Sequence, residues 1–448
     1  PREKIRSMSN ITLAARNADL SEVVGILTEQ RARRLDLVVP ARHISAADGK
    51  IVIADSEATQ LVTEDGVSST AGSYKPTAVA HEGLGDKLGI PTAYLKKLAE
   101  ARTDLYDANV NGMLHGLVWD WSGFLGLKPD TEVTHEPYDG NLLLRLLKGD
   151  ESDDGVLRAV LSPKYKFIDN LDVLLAIMDG IRKAGVNAVP GFADLSERRM
   201  IARFDVPEIA ALAPKLLDGY RSPFEGAGAV ERAGEDRPGY RLRSEYGNWS
   251  PEAAMRAAAA EGQGYERGKE PVVWAGLRVS NSDVGGGART ITPEIRVKVC
   301  KNGLTLIAEA SRAVHLGSTQ AEGVVEWSAD TQEKELALIT SQTVDAVRKF
   351  LDPDWFRGQV AKIEALAGVP VIKPEETVRE VAVAAKFTKA ETDGILEHFF
   401  RGGQFTSGGV ANAVTSYSQT IESPDRAAEL DSQAVRVMEH AARIGNRS

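Results

Sequence analysis

Cysteine is nearly absent: the 448 residues hold one, Cys300, which rules out an intrachain disulfide and a zinc site built from several thiolates of one chain. A reducing compartment is expected. No run of about 18 apolar residues occurs, and Pro1 to Asn10 carries four charged residues with no signal-peptide core behind it, so neither membrane insertion nor secretion is expected. The Gly-x-x-x-x-Gly-Lys-Ser/Thr loop of ATP-driven motors is missing, as is the Gly-x-Ser-x-Gly elbow of hydrolases. Seven histidines, at 43, 81, 115, 135, 315, 398 and 440, never fall into the close spacing of metal sites. No metal and no cofactor are therefore expected. The triplet Gly285 to Gly287 follows a strand but precedes another strand-like stretch, which reads as a turn and not as an anion cradle at a helix start. Cys300, at the end of an apolar strand, reads as a buried small hydrophobe.

With 43% hydrophobic and 26% charged residues the chain is expected to fold, and its length calls for more than one core, since single cores rarely outgrow roughly 250 to 300 residues. The net charge of −10 disfavours a surface that is cationic throughout. The acidity lies in the flanks: residues 141–320 hold 25 Lys+Arg against 24 Asp+Glu, and the remainder 29 against 40.

Hydrophobic periodicity predicts a helix near Leu20 to Arg34 and strands at Asp36 to Val39 and Lys50 to Ala54. Thr77 to Leu88 and Thr92 to Ala101 read as helices parted by Gly89 and Pro91. Leu142 to Leu147 and Val156 to Leu161 form a hairpin pattern across an acidic loop. Asp169-Asn170 then signals the start of a helix with apolar positions Val173, Leu174, Ile177, Met178 and Ile181. Met200 to Val206, Pro271 to Ser280, Arg289 to Ile291, Ile295 to Val299 and Leu304 to Glu309 are strand-like, and Asn302-Gly303 is a hairpin signal, so an antiparallel meander is expected. Arg221 to Gly268 is rich in Gly, Ala, Arg and Glu, with one Ala-rich helix at Pro251 to Glu261. From about Ala329 the pattern is helical, with breaks at Asp352-Pro353, Gly368 to Pro370, Arg401 to Phe405 and Ser423-Pro424.

The fold class expected is α+β: a mostly antiparallel sheet flanked by helices, with a helical carboxy-terminal module. The expected divisions are a small β-containing module over 1–72, an α+β core over 73–320 with an insertion at about 190–270, and a helical module over 321–448.

One feature points to binding. In Ile295-Arg296-Val297-Lys298-Val299 apolar and basic residues alternate, which sets Arg296 and Lys298 on one face of a strand. Arg278 extends this stripe, as do Arg145, Arg158 and Arg203 if their strands share the sheet, with Lys164, Lys166 and Lys301 at its rim. Such a stripe suits a phosphate backbone, with Tyr165, Phe167 or Trp274 available for base stacking. The alternative is plain solvation, which any half-buried sheet requires of its outward residues. Asn281-Ser282-Asp283 reads as a strand-ending turn whose side chains cap backbone amides.

The stretches LGIPTAYLKKLAE (Leu88 to Glu100), LRAVLSPKYKFIDN (Leu157 to Asn170), GLRVSNSDVGGG (Gly276 to Gly287) and CKNGL (Cys300 to Leu304) together resemble a family of phage- and plasmid-borne proteins of unknown function. The match runs from about Tyr74 to Ser318, and Gly408 to Thr420 resembles the family's helical end. The resemblance implies a mobile-element protein in the cytoplasm of a bacterial host, in company with DNA replication and recombination, and assigns no catalytic residue. The function expected is an ATP-independent single-stranded DNA-binding or annealing protein acting as a homo-oligomer. The alternatives are an oligomeric structural protein that binds another protein, with apolar helical residues near Phe399, Val410 and Val414 at its contacts, and a metal-dependent enzyme acting on nucleic acid.

Overall fold

The computed structural model describes residues 11–63, 66–119, 133–150, 154–217, 219–220, 272–297, 303–305, 311–313, 323–324 and 328–446. Along the chain, β1 (Ala15–Ala18) leads into α1 (Leu20–Arg33), followed by β2 (Arg34–Pro40), β3 (Ile44–Ala47), β4 (Lys50–Ile53), the ribbon β5 (Gln60–Thr63) and β6 (Gly66–Ser69), and β7 (Gly72–Pro76). Helices α2 (Ala78–Leu88), α3 (Thr92–Ala101) and α4 (Thr103–His115) come next, then the ribbon β8 (Leu117–Trp119) and β9 (Val133–His135). The hairpin β10 (Asn141–Leu147) and β11 (Gly155–Leu161) precedes α5 (Asn170–Lys183), β12 (Val189–Leu195), β13 (Met200–Leu212) and the single turn α6 (Pro214–Leu217). After β14 (Val272–Asn281), β15 (Arg289–Val297), β16 (Gly303–Thr305), β17 (Ser311–Ala313) and β18 (Gly323–Val324) come six helices. These are α7 (Ala329–Phe350), α8 (Pro353–Ala367), α9 (Pro374–Ala384), α10 (Lys389–Gly402), α11 (Ser407–Ser418) and α12 (Pro424–Gly445).

The fold is α+β, built on two seven-stranded sheets. The first runs β18-β2-β10-β11-β7-β4-β3 and is antiparallel except where β11 lies parallel to β7. The second runs β1-β12-β13-β14-β15-β16, with β17 also on β15, and is antiparallel throughout. One face of the first sheet packs Leu37, Val39, Leu144 and Leu146 against Leu84, Leu95, Tyr106 and Val110 of α2, α3 and α4. One face of the second packs Phe204, Val206, Leu277 and Val279 against α1, α5, α7 and α8, through residues such as Leu27, Ile177, Val347 and Phe356. A third core lies within α9–α12, around Val378, Ile395, Phe399, Val414 and Val437.

Helix boundaries follow local chemistry. Thr77 caps α2 by accepting from the Ala80 amide, and Gly89 ends it at φ +68°, a conformation that favours glycine. Asp352 and Ser423 cap α8 and α12, each followed by proline in the first turn. Thr388 and Glu391 form a reciprocal capping box on α10.

The expected divisions do not coincide with the cores. β2, β3 and β4 belong to one sheet with β7, β10 and β11, and β1 belongs to the other, so the first 72 residues are not a separate module. Likewise β18 pairs with β2, and α7 and α8 cover the second sheet, so the helices with a core of their own begin at α9. β12, β13 and α6 occupy 189–217, the first part of the expected insertion, within the second sheet and its core. The expected helix Pro251 to Glu261, Cys300 and the Asn302 half of the hairpin signal lie outside the described residues.

The exposed edge of the first sheet is closed by a side chain. The Asn111 amide of α4 accepts from the Ala46 N–H at 2.7 Å and donates to the Ala46 carbonyl at 2.8 Å, filling the place of a neighbouring strand. Asp107 accepts from the Asp48 and Gly49 amides of the β3–β4 turn, where φ is +54° and +74°. Asn111→Ala is expected to lower stability by about 1–3 kcal/mol, because both groups of Ala46 lose their partner. Urea unfolding measures this; an unchanged midpoint would show that the edge does not need the amide.

Candidate functional site

The face of the first sheet turned away from α2–α4 is charged and yet buried. Register places Arg145 of β10 opposite Asp36 of β2. The Arg145 guanidinium is 1% exposed and lies 3.9 Å from the centroid of the Phe167 ring. Its Nε donates to Asp36 Oδ1 at 2.8 Å, its Nη2 to Asp169 Oδ1 at 2.8 Å, and its Nη1 reaches the Asp283 carboxylate at 3.2 Å. Arg158 of β11 grips Asp283 with two donors, at 2.8 and 3.0 Å. Asn170 adds a donor to Asp283 at 3.2 Å, and Asn281 donates to Asn170 at 2.8 Å. Arg34 closes the cluster on Asp169 and Asp36.

Three guanidiniums thus meet three carboxylates across the first sheet, the start of α5 and the end of β14. Burial alone would raise the Asp283 carboxyl, but Arg158 and Arg145 overcome it and hold the group at about 2. Burial disfavours the Arg145 charge, and Asp36, Asp283 and Asp169 reverse this and fix it as a cation.

The polar face of the second sheet repeats the design. Arg203 donates to Asp194 at 2.8 Å, and Arg16 reaches the same carboxylate at 2.8 Å. Arg296 donates to Asp205 at 2.8 Å and lies 3.6 Å from Glu294, which is 3.7 Å from Arg278. α12 covers part of this face, with Asp431 3.8 Å from Arg203, Asp425 2.5 Å from Arg199, and the Ala428 carbonyl accepting from Arg278 at 3.3 Å.

The expected cationic stripe is therefore corrected in two respects. Arg145 and Arg158 lie in one sheet, and Arg203, Arg278 and Arg296 in the other. All five are held by carboxylates inside the protein, because each sheet face that alternation marked as outward is covered by another layer. At the rim, Lys166 pairs with Glu335 and Lys164 is exposed on a turn; Lys298 and Lys301 lie outside the described residues. The expected stacking rings are packed as well: Phe167 and Trp274 are buried, and the Tyr165 hydroxyl donates to the Ser282 carbonyl at 3.2 Å.

Asn281-Ser282-Asp283 does form a turn, with Ser282 Oγ accepting from the Gly286 amide at 2.7 Å, while its outer two side chains enter the buried cluster. Sequence reasoning missed Asp36, Asp169, Asp194 and Asp283. An aspartate at a central strand position, as Asp36 and Asp194 are, was the available signal, since β-propensity disfavours it there.

The first cluster reaches solvent at Arg34. On one side of the Arg34–Asp169 pair lies a cleft of about 450 Å³, bordered by Lys166, Phe167, Asp172 and Glu335. On the other lies one of about 260 Å³ that extends to Arg158 and Asp283. The charges lining both are already matched by protein partners, so the arrangement acts as a lock between sheets. Among the described residues no group of three or more His, Cys, Asp or Glu is placed to hold a metal, and no helix is long and apolar enough to cross a membrane. Comparison with protein-family models, curated proteins and solved structures gave no significant match.

Arg145→Met is expected to cost about 3–5 kcal/mol, since it leaves buried carboxylates without their cation. The wild-type contribution of Asp283, whose folded carboxyl sits below the ordinary 3.8, is present above pH 3.8 and lost as pH falls towards 2. Denaturant melts from pH 7 to pH 3 should show the Arg145→Met deficit shrinking as the carboxylates take up protons. A deficit independent of pH would contradict an electrostatic lock.

Proposed function

We propose that the chain is a binding protein that works as a homo-oligomer, assembled through its carboxy-terminal helices. The observation that carries this reading is an apolar aromatic patch formed by Ile372, Phe400 and Phe405, which are 66%, 50% and 45% exposed. The patch is contiguous: the Phe400 and Phe405 rings lie 6.0 Å apart, and the Val371 amide donates to the Phe405 carbonyl at 2.9 Å, which sets Ile372 beside it. The buried Phe399 ring meets Phe405 edge-on at 5.6 Å and anchors the patch to the core beneath.

Its surroundings have the anatomy of an interface, with exposed ion pairs Lys373–Glu376 and Glu397–Arg401 from the same elements. A border carrying both signs complements itself about a two-fold axis, the commonest symmetry of soluble oligomers. Phe399, Val410 and Val414, expected at the contacts, are core residues instead, so the assembly surface is assigned to their exposed neighbours. The single-stranded DNA reading loses the open cationic face that motivated it, because six of its nine residues are partners in ion pairs within the protein.

Size-exclusion chromatography with light scattering tests the proposal. Wild-type protein should elute at a multiple of the chain mass. Phe400→Asp/Phe405→Ser should elute as a single chain with its cooperative melt retained. A monomeric wild type, or a double variant that keeps the multiple, would overturn it.

A further inference from the structure

One turn of helix is held at both ends by side chains from elsewhere in the fold. α6 follows β13, and its Leu216, with Ala213 just before it, is buried in the core of the second sheet. A turn this short leaves most of its amides and carbonyls without helical partners. Glu364 of α8 accepts from the Lys215 and Leu216 amides at 2.9 and 2.8 Å, one carboxylate oxygen to each. On the carbonyl side Gln404 Nε2 donates to Lys215 at 2.9 Å and to Leu216 at 3.2 Å, while Asn412 Nδ2 donates to Leu216 at 2.8 Å and to Gln404 Oε1 at 3.0 Å. Each side-chain nitrogen thereby uses both of its hydrogens, and the two side chains are 3% and 1% exposed.

Gln404 and Asn412 belong to the helical unit and not to the sheet. Gln404 sits in the loop between α10 and α11, next to Phe405 of the exposed patch. The two neighbours face opposite ways, Gln404 inward and Phe405 outward at 45% exposed. On its other side this loop is stitched to the chain after α8, where the Val371 amide donates to the Phe405 carbonyl and the Ser407 amide to the Val369 carbonyl, both at 2.9 Å. Gly409 leaves room for this course, since a Cβ there would meet the Gln404 carbonyl oxygen at 1.8 Å. The strip that carries Ile372 and Phe405 is thus two paired chain segments whose inner tie is to α6.

We infer that α6 controls self-association through this patch: Gln404 and Asn412 are positioning residues, and the Phe405 loop holds its associating conformation only while the α6 turn is seated between them and Glu364. This control presupposes the self-association proposed above and adds its regulation. A loop already in its bound geometry loses little ordering entropy on association. Release from α6 lowers the fraction of chains whose loop is competent, and the apparent affinity falls in proportion to that fraction. Because α6 is continuous with β13, the aromatic surface is set by the second sheet as well as by the core of α9–α12.

Sedimentation equilibrium of the full chain over a concentration series tests the control, with amide hydrogen exchange on single chains at high dilution. Gln404→Met keeps the length of the side chain and removes both donations to α6. It should weaken association at least about tenfold, as a loop competent about one tenth of the time would, and should speed exchange at the Val371 and Ser407 amides while amides at the centre of α12 exchange as in wild type. Glu364→Ala acts at the other end of α6 and gives a second route if Gln404→Met does not fold; it should weaken association too. Since both act through one turn, the double variant should lose less than the product of the two factors. Asn111→Ala removes a comparable pair of hydrogen bonds from the first sheet and should leave association as in wild type.

A monomeric wild type would overturn the assembly reading and the control with it. A wild type that associates would overturn the control alone in any of four cases: equal association by Gln404→Met, unchanged exchange at the Val371 and Ser407 amides, losses that multiply in the double variant, or a loss shared by Asn111→Ala.

Discussion

The Arg145 guanidinium is the contact on which the rest of the architecture turns. Taking a cation out of water costs several kcal/mol, and that cost is recovered only where carboxylates meet it with good geometry. Arg145 has three such groups, from β2, from the residue before α5 and from the turn after β14. None of the three can shift without leaving another charge buried and unmatched. The cluster therefore fixes the position of the second sheet on the first more narrowly than apolar packing would, since apolar surfaces tolerate sliding and ion pairs at 2.8 Å do not.

The same constraint explains what the surface offers. Because both sheets turn charged faces inward, the strand arginines serve cohesion, and among the described residues the exposed aromatic cluster is that of Phe400 and Phe405. The two sheets differ in one respect. The first cluster joins the first sheet to α5 and the end of β14, whereas in the second the close pairs Arg203–Asp194 and Arg296–Asp205 lie within one sheet, with Asp425 and Asp431 of α12 beside them.

Much of the scaffold was legible in the chain. Alternation and apolar runs marked β10, β11 and β14 but read the single strand β15 as two pieces, and Gly89, Pro91, Pro353 and Pro424 marked helix boundaries, because these signals act within a few residues. The networks were not legible for the opposite reason. Arg145 meets Asp283 across 138 residues and Asp36 across 109, and period two says that a side chain faces away from one core without saying what lies on the other side. Asp169 shows how local reading misleads: it sits where a helix cap belongs, yet its carboxylate makes no capping bond and goes to Arg145 and Arg34. The exposed aromatic patch was misplaced for a related reason, as helical periodicity found the apolar residues of α10 and α11 but could not tell Phe399, inside, from Phe400, outside.

The most direct measurement is a double-mutant cycle on Arg158 and Asp283, the bidentate pair that joins the first sheet to the end of β14, taken in low and in high salt. A buried lock predicts a coupling of about 2–5 kcal/mol that salt changes little, since side chains only 8% and 5% exposed are screened far less than surface charges. A coupling below about 0.5 kcal/mol, or one that salt erases, is what a solvated surface pair would give and would contradict the lock between the sheets.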